Sequence, residues 1–243
     1  MRLAVIACQV FNRELSRAVS QSKHTCTVFW QPQGLHDTPQ ILRQKIRECV
    51  ETIERHNKTA PSYRKFDAIA LCYGMCGTGV CEIASQSIPI VVPRTDDCIG
   101  ILLGSQSYYR QIFSQKPGIF WYSDGWIEFG NTPSQQYYQT KREDYASRYG
   151  EENARYLLEQ ENTWIKKYQN LIYIASPYEH RRDHEEYARR TAKTFGWEFS
   201  IQQGREDLLR DLVNACWEKE RFLYCPPGKT ISQSFEDSLF CLK

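Results

Sequence analysis

The chain has 243 residues, 41% of them hydrophobic and 25% charged, with a net charge of +2. That length suits one large α/β domain or two small lobes, and the near-neutral charge gives no electrostatic reason to expect nucleic acid as a partner. No apolar run approaches the roughly 20 residues that cross a bilayer, so no membrane association is expected. The start, MRLAVIACQV, lacks a secretory leader pattern, which leads us to expect a cytoplasmic protein with reduced thiols. Ten cysteines in that compartment read as metal ligands, catalysts or core, not as disulfides.

Residues 3–7 (LAVIA) form a short apolar run that predicts a buried strand ending at Cys8. Asn12 is placed to cap a helix through about Ser22. Residues 26–30 (CTVFW) predict a second strand, followed by a loop with His36. Thr38-Pro39 then opens a helix whose apolar face is Leu42, Ile46, Cys49, Val50 and Ile53. Residues 68–71 and 88–92 predict strands three and four. Ile99, Leu102, Leu103, Tyr109, Ile112 and Phe113 keep helical period after Asp97, and residues 119–122 predict a fifth strand. Residues 131–140 (NTPSQQYYQT) lack period and read as a connector. A long helical region follows, with Ala154, Leu157, Leu158, Trp164, Ile165 and Tyr168 on one face. Strands at 171–175, 197–201 and 222–225 alternate with helices after it.

This alternation predicts an α/β fold: a three-layer, mostly parallel sheet with Rossmann-like, right-handed crossovers, and a second, smaller α/β half. The expected division is 1–130, carrying the chemistry, and 131–243. In such sheets ligands collect at the carboxyl ends of the strands. Cys8, His36, Cys76 and Cys98 follow strands one to four in turn, so all four are expected on one edge. Three thiolates and an imidazole make a sensible tetrahedral zinc site, although four separate loops give no compact signature. Cys72, Cys76, Cys81 and Cys98 could instead hold an iron–sulfur cluster. A metal-free reactive thiol and plain structural cysteines are the other readings. Cys98 opens a helix, where backbone N–H groups favour a thiolate, while Asp96 and Asp97 oppose it unless one of them caps the helix. Gly74, Gly77 and Gly79, spaced GxxGxG, let the backbone turn tightly around a ligand, and with Asp97 they are the expected cofactor-contacting positions.

Other residues read more plainly. Cys26, Cys49, Cys72 and Cys216 fit a core, and Cys241 an exposed tail. His180 and His184 are four apart but have no Glu in the HExxH place, so they fit a solvated first helical turn. Gly228-Lys229-Thr230 has Leu223 where a phosphate loop needs glycine. Tyr108, Tyr109, Tyr137 and Tyr138 read as packing or surface aromatics. Tyr178 and Cys225 end strands of the second half and are expected to face the site.

Several segments together resemble the domain of unknown function 1638 family. They are Ile6-Ala7-Cys8, Gly34-Leu35-His36, Tyr73-Gly74-Met75-Cys76-Gly77, the run from Val92 to Ile99, Leu102-Leu103-Gly104-Ser105, Pro117-Gly118 and Gly125-Trp126-Ile127-Glu128. The family pattern commonly has His where this chain has Asp96. The resemblance implies a link to corrinoid-dependent methyltransferase systems and so to one-carbon metabolism. Its expected ligand is a small molecule or cofactor. An accessory module holding a corrinoid or an iron–sulfur cluster for a partner methyltransferase is the alternative it leaves to a metal-dependent enzyme.

Overall fold

The computed structural model describes residues 1–130, 132–235 and 238–243; the side chains of 135, 136, 161, 162 and 164 are outside it. Asn131, where the connector was expected to begin, and the Trp164 side chain therefore lie outside the described residues. The chain forms two compact units, residues 1–109 with 204–243, and residues 110–203. Among the described residues no helix is long and apolar enough to cross a membrane.

The first unit begins with β1 (Arg2–Cys8), α1 (Asn12–Ser20), β2 (Thr25–Gln31), α2 (Pro39–Thr59) and β3 (Ala68–Cys72). It continues with β4 (Ile90–Pro93) and α3 (Cys98–Leu102), and α4 (Gln106–Gln115) leads out of it. Leu3 to Ala7 and Ala68 to Cys72 are fully buried, as strands covered on both faces must be. The sheet order is β2-β1-β3-β4, all parallel. From β1 the chain steps outward to β2, then crosses back over β1 to β3. Right-handed crossovers in opposite directions place α1 and α2 on opposite faces, which gives the three layers. Asn12 is the first residue of α1, not its cap; a 3₁₀ turn at Gln9–Phe11 leads into it. The expected single helix after Asp97 is two, because Gly104 takes φ +72° between α3 and α4.

Two sequence expectations about strand placement need correction. Past the second unit the chain returns through α9 (Asp207–Val213) to β8 (Phe222–Cys225), and β8 joins the first sheet antiparallel beside β4. A mostly parallel sheet leaves room for an antiparallel edge strand, but alternation of β and α segments does not say that residues 222–225 supply it to the first sheet instead of extending the second. A small hairpin of β9 (Ile231–Gln233) and β10 (Phe240–Leu242) ends the chain. The predicted fifth strand, β5 (Ile119–Ser123), is absent from this sheet and begins the second one.

In the second unit β5, β6 (Asn170–Ala175) and β7 (Glu198–Gln203) form a parallel sheet in that order. Its helices are α5 (Asp124–Phe129), α6 (Gln135–Tyr149), α7 (Glu151–Glu161) and α8 (Arg182–Phe195). Tyr122, Leu171, Tyr173, Ala188, Ala192 and Trp197 form its core. Part of the expected connector is helix: Ser134 Oγ accepts from Tyr137 N at 3.1 Å and starts α6. Few α6 residues are buried, so the helix leaves little apolar period in the sequence. Gly118 turns into β5 at φ +58° and accepts from Gln169 N (2.9 Å) and Asn170 N (3.1 Å). A Cβ there would run into the Lys167 carbonyl. Gly118→Ala should therefore destabilise this unit by about 2–3 kcal/mol, read as a lower urea midpoint. An unchanged midpoint would mean the turn relaxes without cost.

Candidate functional site

Strand order fixes where the first unit can hold a ligand. From β1 the chain moves one way to β2, and from β3 the other way to β4, so the topological switch point lies between β1 and β3. Cys8 is the last residue of β1 and Cys72 the last of β3, with Ala7 level with Cys72. The loop that leaves β3 carries Tyr73, Gly74 and Cys76 over the same edge.

This loop is tied to the one that follows β4. Met75 N donates to Thr95 O (2.8 Å) and Cys76 N to Asp96 O (2.9 Å). The backbones run so close that a Cβ on Gly74 would lie 2.6 Å from Asp97 N. Only glycine fits. Cys76, Gly77 and Thr78 then take three consecutive left-handed conformations, at φ 47°, 61° and 76°. Two of them are not glycine, a costly arrangement that clusters at ligand sites. The first turn of α2 packs on the loop: Pro39 lies 3.4 Å and Leu42 2.5 Å from where Cβ atoms on Gly77 and Gly79 would stand. Arg43 donates to Thr78 O at 3.1 Å. The glycines expected to curl around a ligand thus have packing reasons of their own.

His36 stands in a 3₁₀ turn three residues before Pro39, after Gly34 at φ +91°. Its Nε2 lies 3.4 Å from Asp37 Oδ1, and the side chain is about one-third exposed. Asp97 caps α3, accepting from Ile99 N (2.8 Å) and Gly100 N (3.4 Å). The amides expected to favour a Cys98 thiolate therefore serve this carboxylate instead, and Cys98 is a half-buried residue beside it. Tyr109, expected to be packing, donates its hydroxyl to Asp97 Oδ2 at 3.0 Å.

Burial pushes the Cys8 thiol up to about 11, against a small lowering by the Val10 amide. Cys76 is raised by burial, then by Asp97 and Cys8. Cys72 is raised by burial, then by Cys8, Cys76 and Glu14. Asp97 is itself raised by burial, against the bonds from Tyr109, Ile99 and Gly100. The Tyr73 hydroxyl is buried without a hydrogen-bond partner among the described residues, and Cys8, Cys76, Cys72 and Cys49 all act on it. The fold therefore brings together Cys8, Cys72, Tyr73, Cys76 and Asp97, with Cys98 next in sequence and His36 one turn ahead of α2. Among the described residues no three His, Cys, Asp or Glu side chains are gathered as they would be around a metal ion.

The remaining expectations fall elsewhere. Cys225 is level with Ile90, where β4 begins, so it sits on the opposite edge; antiparallel pairing puts it there. Its thiol donates to Lys229 O at 3.2 Å. Cys216 is exposed beyond the end of α9, and Cys26, Cys49 and Cys241 are half-buried. His180 is exposed, but His184 is buried against Asp124 in the second unit, which corrects the reading of a solvated turn.

Residues 30–213 match the family described as Protein of unknown function (DUF1638). The chain belongs to this family. The DUF1638 match runs from the end of β2 through α9 and so includes His36, the Gly74–Gly79 loop, Asp97 and Cys98. Cys8 precedes the matched residues. Searches of curated proteins and of solved structures found no match.

Proposed function

We propose that this protein binds a thiophilic metal, zinc foremost, at the switch point of its first sheet. Cys8 and Cys76 are the primary ligands, and His36 and Cys98 are the residues that would complete the set. One observation carries the reading: the end of β1 and the loop that leaves β3, on either side of the switch point, bring Cys8 and Cys76 around a buried tyrosine hydroxyl that has no hydrogen-bond partner among the described residues. The residues fit a cation. The charged neighbours that raise Cys72 and Cys76 are all acids, so a positive ion would relieve them. A metal-free thiol nucleophile fits less well, because a Cys8 thiol at about 11 is almost wholly protonated at neutral pH. When bound, the metal would supply Lewis acidity and hold its thiol ligands as thiolates. The residues then have separable duties. Gly74 allows the close approach of the two loops, Asp97 fixes the second loop through α3 and Tyr109, and α2 braces the first.

Cobalt(II) added anaerobically to the metal-free protein tests the proposal. A thiolate-to-cobalt absorption band should appear in the wild type and in Cys49→Ser, and should be lost in Cys8→Ser and Cys76→Ser. A band of undiminished strength in either of these two variants would refute the assignment. Visible colour in protein purified under anaerobic conditions would instead favour an iron–sulfur or corrinoid group held for a methyltransferase partner.

A further inference from the structure

The second unit carries a cluster that the thiol site does not use. Asp124 follows the last residue of β5 and is 1% exposed. Tyr173, from β6, donates its hydroxyl to Asp124 Oδ1 at 2.5 Å. His184, in the first turn of α8, places Nδ1 2.8 Å from the same oxygen. Asp124 Oδ2 is buried with no hydrogen-bond partner among the described groups. Asp124 thus sits at the carboxyl edge of parallel strands, where α/β sheets take their ligands.

The far side of the imidazole decides its tautomer. His184 Nε2 lies 3.2 Å from an Arg181 guanidinium nitrogen. A guanidinium has only donors, so Nε2 must accept, and Nδ1 carries the proton that it donates to Asp124. An aspartate that orients an imidazole and leaves a lone pair on Nε2 is the arrangement of a general base. Arg181 stays anchored when that one bond opens, because Asp183 (3.0 and 2.8 Å) and Glu128 (3.3 Å) also hold it.

We propose that Asp124 and His184 form an acid–base centre in the second unit, gated at Nε2 by Arg181. The carboxylates of Asp124, Glu128 and Asp183 outnumber the one guanidinium, so the site suits a small neutral or cationic molecule bearing an O–H or N–H. In the step, the Nε2–H bond forms as the substrate's O–H or N–H bond breaks. The electron pair stays on the substrate, and Asp124 stabilises the imidazolium. Tyr173 positions the carboxylate; its own proton is tightly held, through burial and the neighbouring Asp124.

Modification by diethyl pyrocarbonate, which reacts with an unprotonated, accessible imidazole nitrogen, tests this on the full chain. His180, exposed and paired with Glu185 at 3.0 Å, is the internal control. Mass spectrometry should show Arg181→Gln raising His184 modification about tenfold with His180 little changed. Adding Asp124→Asn should reverse most of that gain, since the imidazole loses its enforced tautomer. A His184 that reacts no faster in Arg181→Gln than in the wild type overturns the proposal. If the double variant unfolds, nitrogen-15 NMR of wild-type His184 replaces it. A proton on Nδ1 with Nε2 bare is expected, and a proton on Nε2 overturns the proposal.

Discussion

Metal-free protein should lose stability steeply as the pH rises from about 9 towards 11. Cys8 and Cys225 are raised from 9.0 to about 11 by burial, and Cys72 and Cys76 are raised in the same direction. Above 9.0 the unfolded chain releases these protons while the folded chain keeps them. The folded state then binds more protons, so its stability falls with pH until its own thiols ionise. A rise from 9.0 to about 11 is worth at most roughly 2–3 kcal/mol for one thiol, so Cys8 and Cys225 together are a large part of the stability of a marginal domain. Urea midpoints measured at intervals from pH 7 to 10.5 would trace the loss, and Cys8→Ala with Cys225→Ala should flatten it. Zinc should flatten the part that comes from Cys8 and Cys76, since bound thiolates carry no proton in the folded state, and leave the Cys225 part in place. A midpoint that does not move with pH would mean that the thiols titrate normally and are not closed to water.

The second large effect is expected at Asp97. Asp97→Ala should cost roughly 2–4 kcal/mol, the sum of a lost helix cap and a lost charge-assisted bond from Tyr109. Asp97→Asn keeps an acceptor and should cost less. Both variants should lower the Cys76 pKa, because Asp97 is the largest charge raising it. Thermal denaturation gives the first quantity, and a thiolate absorbance titration the second. A Cys76 that titrates unchanged in Asp97→Asn would show that the two groups do not interact, and the picture of one acidic cluster would fail.

The first sheet was legible because β1, β3 and β4 are buried on both faces and read as unbroken apolar runs. Strand order then carried Cys8 and Cys76 to one edge from sequence position alone. What sequence could not supply was pairing between distant segments. Phe222 to Cys225 read as a strand of the second half, yet its partner is β4, and only the antiparallel register shows that Cys225 faces the other edge. His184 looked solvated because its helix is polar. Its partner, Asp124, lies 60 residues earlier and carries no motif of its own. Tyr109 kept the helical period of a packing residue, and nothing local marks its bond to Asp97.

The most direct measurement is metal content per chain, taken after anaerobic purification and zinc reconstitution, for the wild type and for Cys8→Ser with Cys76→Ser. The account predicts about one metal per wild-type chain and near none in the double variant, with the fold retained by circular dichroism. A wild type that holds no metal, or a double variant that holds as much as the wild type, would contradict it.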